Sequence, residues 1–182
     1  MKFCSNCGAA VTLKIPAGDN RERSVCDACD TIHYVNPRII AGCLVTRGDQ
    51  VLLCKRAIEP RLGYWTLPAG FMENGETTEQ GAARETWEEA QAKVELQGLY
   101  TLFSLPHISQ VYMFYRGELL GDSYGAGDES LAVELYDEAD IPWDELSFPV
   151  ITETLKYYFA DRIQGTFPTR SEVLQYRRRP PT

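Results

Sequence analysis

Two C-x2-C pairs, Cys4-Ser5-Asn6-Cys7 and Cys26-Asp27-Ala28-Cys29, stand eighteen residues apart near the start of the chain. This spacing matches a structural zinc site, in which four thiolates close a tetrahedron and leave no open position. Disulfide pairing is one alternative and a redox C-x-x-C another, although that motif does not normally come doubled in a short hairpin. Gly8, Pro16 and Gly18-Asp19-Asn20 suit the turns of a small ribbon. So short a segment has too little core to fold without metal. His33 lies close by, but four cysteines suffice, and an ordinary surface or capping histidine is expected there. Asn36-Pro37-Arg38 marks the module's end, since the residue before a proline is pushed out of helix. The expected organisation is a ribbon over 1–36, one α/β domain over 37–165 and a C-terminal extension over 166–182 with a mobile tail, Arg177-Arg178-Arg179-Pro180-Pro181-Thr182.

Composition narrows the function classes. Eighteen Lys and Arg against twenty-six Asp and Glu give a net charge of −8. Non-specific nucleic-acid binding rests on cationic contacts to phosphate, so an acidic chain is poorly suited to it. Cys43 and Cys54 fall in apolar strand patterns and read as buried free thiols. Free thiols beside a cysteine–zinc site suggest a reducing cytoplasm. No signal-like segment and no apolar run of roughly 18 residues is present, so a membrane partner is not expected.

Glu85, Glu88 and Glu89 lie at i, i+3 and i+4 in a segment with helix-forming composition. Thr77 with Gln80 fits a capping box after the turn-like Asn74-Gly75. Ala83, Thr86, Trp87 and Ala90 form one stripe, which predicts Trp87 as a core anchor with the carboxylates facing away, towards a cleft or water. Taken alone, an acidic helix face is usually solvated. Three like charges on one patch also suit a hard cation such as Mg²⁺ or Mn²⁺.

The surrounding residues change that balance. Gly70, Glu76, Arg84, Glu85, Glu88 and Glu89 are in register with G-x5-E-x7-R-E-U-x-E-E-x-G-U, and the segment resembles the signature of the Nudix hydrolases. Thr86 stands at the first U, Gln91 at the final Gly and Ala92 at the last U, and none of these departures removes a carboxylate. The resemblance implies an α/β (α+β) Nudix fold, a mixed sheet sandwiched by helices and preceded by the small zinc ribbon. It also implies Mg²⁺- or Mn²⁺-dependent cleavage of a nucleoside diphosphate linked to another group. By the same resemblance Glu85, Glu88 and Glu89, with the Ala69 carbonyl, hold the cations. Arg84 orients a glutamate, and Glu76 supports. Glu129 is a candidate general base or further ligand, or else an exposed loop acid. Arg56, Tyr64 and Trp65 are candidates for substrate contact, with aromatic packing in a strand as the equal alternative for the two rings.

The remaining elements are read from pattern. Ile39–Thr46 and Val51–Arg56 read as a strand hairpin, Val94–Tyr100, Gln110–Arg116 and Leu131–Tyr136 as further strands, and Gly117–Gly127 as a loop, a candidate lid or dimer contact. Ile151, Leu155, Tyr158 and Phe159 form the stripe of a closing helix. Nearly the whole chain resembles zinc-ribbon ADP-ribose pyrophosphatases and the plant enzymes that cleave FAD and ADP-ribose, some of them homodimers. NADH pyrophosphatases and RNA-decapping relatives carry an S-Q-P-W-P-F-P-x-S motif that Leu102–Gln110 does not match. The expectation is therefore a small nucleotide substrate, ADP-ribose or FAD. NADH or capped RNA is the alternative, and a non-catalytic nucleotide sensor with a nucleic-acid-binding ribbon is the reading from another class.

Overall fold

The computed structural model describes residues 1–175 and divides into two compact units, Met1–Pro37 and a second that begins at Arg38. The arginine tail from Arg177 lies outside the described residues.

The first unit is an antiparallel ribbon of β1 (Val11–Lys14), β2 (Arg23–Cys26) and β3 (Ile32–His33). Its buried apolar inventory is Cys4, Val25 and Cys26. Burying one valine supplies about 1.5–3 kcal/mol, far less than ordering a ribbon costs. The four sulfurs lie within 4.8 Å of one another, with Cys4–Cys29 at 3.7 Å and Cys7–Cys26 at 3.5 Å. A tetrahedron of ~2.3 Å metal–sulfur bonds has edges of roughly 3.8 Å, and a disulfide needs about 2.05 Å. The donor set therefore fits zinc and does not fit two disulfides. His33 is not an ordinary surface side chain. Its Nε2 stands 3.2 Å from Cys4 Sγ, so it supports a sulfur without being needed as a ligand.

In the second unit, β4 (Arg38–Arg47) and β5 (Gln50–Arg56) form a hairpin. They pair only near the turn, at Thr46↔Val51 and Arg47↔Gln50, and then part. Two short strands fill the fork: β6 (Trp65–Thr66) pairs with β5, and β7 (Ala69–Phe71) with β4. This fork delivers Ala69 and Gly70 to the start of the glutamate segment. After α1 (Thr78–Ala90) come β8 (Val94–Leu105), β9 (Gln110–Leu119), β10 (Ser130–Tyr136), α2 (Pro149–Gln164) and β11 (Arg170–Val173). The sheet order is β10-β5-β4-β9-β8-β11, with β4–β9 and β8–β11 parallel and the other neighbouring pairs antiparallel.

Alternation along the strands splits the core in two. Leu44, Val51, Leu53 and Phe114 pack with Ile151, Leu155, Tyr158 and Phe159 of α2. Cys43, Val45, Leu52, Cys54 and Tyr115 pack with Ala82 and Ala90 of α1. Each helix covers one face, the sandwiched mixed sheet that the resemblance implied. Both free thiols are buried, and burial pushes the Cys43 thiol up to about 12. No helix among the described residues is long and apolar enough to cross a membrane.

Three expectations are corrected. Trp87 is not a core anchor, being 46% exposed. α1 buries Gly81, Ala82, Thr86, Glu89 and Ala90 instead. At ~100° per residue these centre between the two faces read from the sequence, with Glu89 near the middle. Small residues let the helix backbone approach the sheet, which an indole does not. Second, β8 and β9 run to Leu105 and Leu119, so the irregular segment starts at Leu120. Third, its far end is no free lid, because the amides of Gly125 and Gly127 donate to the Ala90 and Glu89 carbonyls at 2.8 and 3.1 Å.

The capping box is present: Thr77 accepts from the Gln80 amide, and Gln80 accepts from the Thr77 amide. The helix ends on Gln91 in the left-handed conformation, φ 49°. That region strains a side chain with a Cβ, so Gln91→Gly is expected to stabilise by about 0.5–1 kcal/mol. Urea denaturation checks this, and an unchanged or lowered midpoint would count against it.

Candidate active site

A cleft of about 1360 Å³ opens in the second unit. On its wall stand Glu85, Glu88 and Glu89 of α1, Ala69 and Gly70 of β7, Arg56 at the end of β5, and Asp128 and Glu129 before β10. Elements distant in sequence thus bring together most of the residues singled out above. Tyr64 and Trp65 are not on this wall. Trp65 is 6% exposed and packs edge-on against Tyr136, so its ring is core. Tyr64 is half-buried under the Arg61 guanidinium. Aromatic surface on the wall comes instead from Phe71, Trp87, Tyr112 and Phe148. Of these Trp87 carried a sequence signal, its anomalous size in a stripe of small residues.

Arg84 gathers the acidic groups. Its Nε and Nη2 donate to both Glu76 oxygens at 3.0 and 2.9 Å, and Nη1 donates to Glu85 at 2.7 Å and Glu88 at 2.9 Å. Nη2 also donates to the Phe71 carbonyl at 3.2 Å. The paired guanidinium brings the Glu76 carboxyl down to about 2. One cation thus offsets part of the like-charge repulsion and sets the orientation of three carboxylates.

Glu89 is different. It is 6% exposed, and its Oε2 accepts the Ala69 amide at 3.2 Å. Burial pushes its carboxyl up to about 8, against the lowering by that amide, and the neighbouring Glu85 adds to the rise. Burial likewise raises Glu85. A carboxylate held in a dry wall, beside another at a cleft, is poorly accommodated without a cation. The oxygen-rich set fits a hard divalent metal.

Close approach is built into the backbone. A Cβ at Gly70 would lie 2.3 Å from a Glu85 carboxylate oxygen, and one at Gly127 would lie 1.6 Å from the Glu88 carbonyl oxygen. Gly127 thereby lets the segment carrying Asp128 and Glu129 close on α1, and the Glu129 carbonyl accepts the Ala57 amide at 2.8 Å. Gly70→Ala is expected to push Glu85 off its position and to weaken divalent-cation binding by roughly tenfold or more. Titration with Mn²⁺ followed by electron paramagnetic resonance measures this, and wild-type affinity would contradict the placement.

A family model described as Nudix N-terminal matches residues 2–35, and one described as NUDIX domain matches residues 36–180. A crystal structure of a NUDIX hydrolase from Nitrosomonas europaea superposes with a TM-score of 0.93 at 53% identity, covering 96% of this chain and 99% of that one. A NAD-capped RNA hydrolase of Pseudomonas fluorescens is 33% identical over 176 residues, 92% of this chain and 59% of that protein. An ADP-ribose pyrophosphatase of Methanocaldococcus jannaschii is 28% identical over 115 residues, 60% of this chain and 67% of that protein. The chain thus spans about 59% of the length of its Pseudomonas fluorescens relative. With a domain match over most of its length, laid on a cleft whose carboxylates come from the matching helix, this chain belongs to the Nudix hydrolase family.

Proposed function

We propose that this protein hydrolyses the diphosphate bond of a nucleoside diphosphate linked to a second group, with ADP-ribose or FAD as substrate. The products are AMP and a phosphorylated partner. The observation that carries this reading is the joint placement of Glu85, Glu88 and Glu89 on one cleft wall, with Glu89 buried and its carboxyl driven up. A diphosphate is anionic and meets such a wall through Mg²⁺ or Mn²⁺. The cation, when bound, polarises phosphorus, acidifies a water and neutralises the leaving oxygen. In this reading the three carboxylates, with the Ala69 carbonyl, hold it, and Arg84 keeps Glu85 and Glu88 oriented. Glu129, exposed at the rim, takes the proton of the attacking water as one P–O bond forms and the bridging P–O bond breaks. Arg56 faces the substrate's phosphates, and the structural zinc serves the ribbon. The buried free thiols and net negative charge support a cytoplasmic enzyme without nucleic-acid or membrane partners, and a homodimer is the assembly proposed.

The ADP-ribose pyrophosphatase relative supports this substrate class. A second reading, hydrolysis of NADH or NAD-capped RNA, is favoured by the relative that aligns over 92% of this chain. Steady-state kinetics with ADP-ribose, FAD, NADH and NAD-capped RNA, each with Mg²⁺ and Mn²⁺, separates them. The highest kcat/KM is expected for ADP-ribose or FAD. Preference for NADH or the cap promotes the second reading, and no turnover of any substrate sinks both. Salt-dependent RNA binding in an inactive protein would point to the sensor.

A further inference from the structure

The cysteines of this chain are unequal, and the proposed hydrolysis uses none of them as a nucleophile. Cys43 and Cys54 are sealed in the core, at 0% and 1% exposure, and burial holds both thiols above their ordinary range. A protonated thiol without access is inert towards oxidants. The four cysteines of the ribbon are thiolates once they hold zinc. Their reactivity then depends on access and on the donors around each sulfur.

Cys4 and Cys29 are the shielded pair. Cys4 is buried, and its sulfur accepts the Asn6 amide at 3.3 Å and faces His33 Nε2 at 3.2 Å. Cys29 is half-buried, and its sulfur meets the Thr31 hydroxyl at 3.1 Å and the Asn6 side-chain amide at 3.7 Å. Each donated hydrogen bond draws charge off a thiolate and makes it a poorer nucleophile. Cys26 is fully buried. Cys7 is the exposed member of the quartet. Among the described residues its sulfur meets no side chain except those of the other cysteines, and the Ala9 amide is its backbone donor. Cys26 Sγ stands 3.5 Å from it. An accessible, sparsely hydrogen-bonded thiolate beside a second sulfur is the arrangement that oxidants attack.

We propose that Cys7 is a peroxide-reactive site and Cys26 its resolving partner, so that oxidation opens the ribbon. The Cys7 sulfur attacks one oxygen of hydrogen peroxide. An S–O bond forms, the O–O bond breaks and hydroxide leaves. The Cys26 thiolate then attacks the Cys7 sulfur. An S–S bond forms, the S–O bond breaks and a second hydroxide leaves. Two thiolates and one peroxide thus give one disulfide and two hydroxide ions, the sulfurs losing the two electrons that the peroxide gains. Cys4 and Cys29 remain, too few to close a zinc site. Metal and fold are lost together, because Val25 is the ribbon's other buried apolar residue. A dithiol reductant with Zn²⁺ reverses the change. None of these steps depends on the diphosphatase reading.

The test uses the zinc-loaded full chain and one equivalent of hydrogen peroxide, so that no ligand cysteine is replaced. A chromogenic chelator follows zinc release. Dimedone traps sulfenic acid in a parallel sample, and remaining thiols are alkylated in denaturant before tryptic mass spectrometry. Cleavage after Lys14 and Arg23 puts Cys4 with Cys7 and Cys26 with Cys29 in separate peptides. Dimedone is expected on Cys7 roughly tenfold over any other cysteine. Without dimedone the two peptides should be joined through Cys7 and Cys26, with zinc released in step. Thr31→Val removes the hydroxyl donor of Cys29 and is expected to raise the Cys29 share of the label severalfold. Label mainly on Cys4 or Cys29, or spread evenly over the quartet, overturns Cys7 as the reactive site. A link between Cys4 and Cys7 within one peptide overturns Cys26 as its partner. Zinc retained after the cross-link forms overturns the opening of the ribbon, and unchanged labelling in Thr31→Val overturns the role given to the donors.

Discussion

Glu89→Gln is expected to slow diphosphate cleavage by roughly a thousandfold or more while leaving the fold intact. Glu89 sits near the middle of the buried face of α1, so its oxygen donor is held by packing and by the Ala69 amide. The amide of glutamine fills the same space and accepts the same bond but carries no charge for a cation. Stability should move the other way. Burial raises the folded carboxyl from 4.5 to about 8, so the folded chain keeps a proton that the unfolded chain loses above about pH 4.5. Without added divalent cation the wild type therefore loses stability as pH rises from about 4.5 to about 8, by a few kcal/mol at most. The variant has nothing to ionise there and is spared that loss. Denaturant midpoints at pH 5 and pH 8.5, read beside kcat, test both halves. Parallel pH profiles in the two proteins would refute the buried carboxylate, and wild-type kcat would refute its role.

Cys26→Ser is expected to unfold the ribbon and leave the second unit folded. Cys26 is fully buried, and the ribbon's apolar core otherwise amounts to Cys4 and Val25. A structural zinc contributes on the order of 10–16 kcal/mol at neutral pH, against about 1.5–3 for one buried valine, so metal dominates the balance. In ¹H–¹⁵N spectra of the full chain, amides of residues 1–37 should collapse to random-coil shifts as bound zinc is lost, while those of the sheet keep their dispersion. Persistent dispersion in a zinc-free variant would show that the ribbon folds on its own contacts.

These two residues also show which parts of the molecule can be read in one dimension. Cysteine spacing reports on a tetrahedron closed by two short turns, and the capping box of Thr77 and Gln80 is local. The register from Gly70 to Glu89 spans one turn and one helix, so its resemblance to a family signature survives without tertiary knowledge. The stripe of α2 was legible for the same reason: Ile151, Leu155, Tyr158 and Phe159 all face one partner, the sheet.

Legibility failed where two elements compete for the same side chain. By apolar size Trp87 looked like the anchor of α1, yet the helix seats on Gly81, Ala82 and Ala90, because backbone approach to β4 matters more than burying one large ring. Trp65 read equally as a stacking surface or as packing in a strand, and the fork between β4 and β5 decided for the core. The segment before Ser130 read as a loose loop because its ties, from Gly125 and Gly127 to Ala90 and Glu89, span more than thirty residues.

By itself the sequence determined the cysteine quartet, the family and the carboxylate helix, because each rests on contacts within a few turns of chain. Tertiary structure alone decided which face of that helix is buried, and hence that the Glu89 carboxyl sits in a dry wall. It also decided which rings reach the cleft. Those outcomes depend on packing between elements far apart in the chain, where the closest-fitting surfaces win and local pattern has no vote.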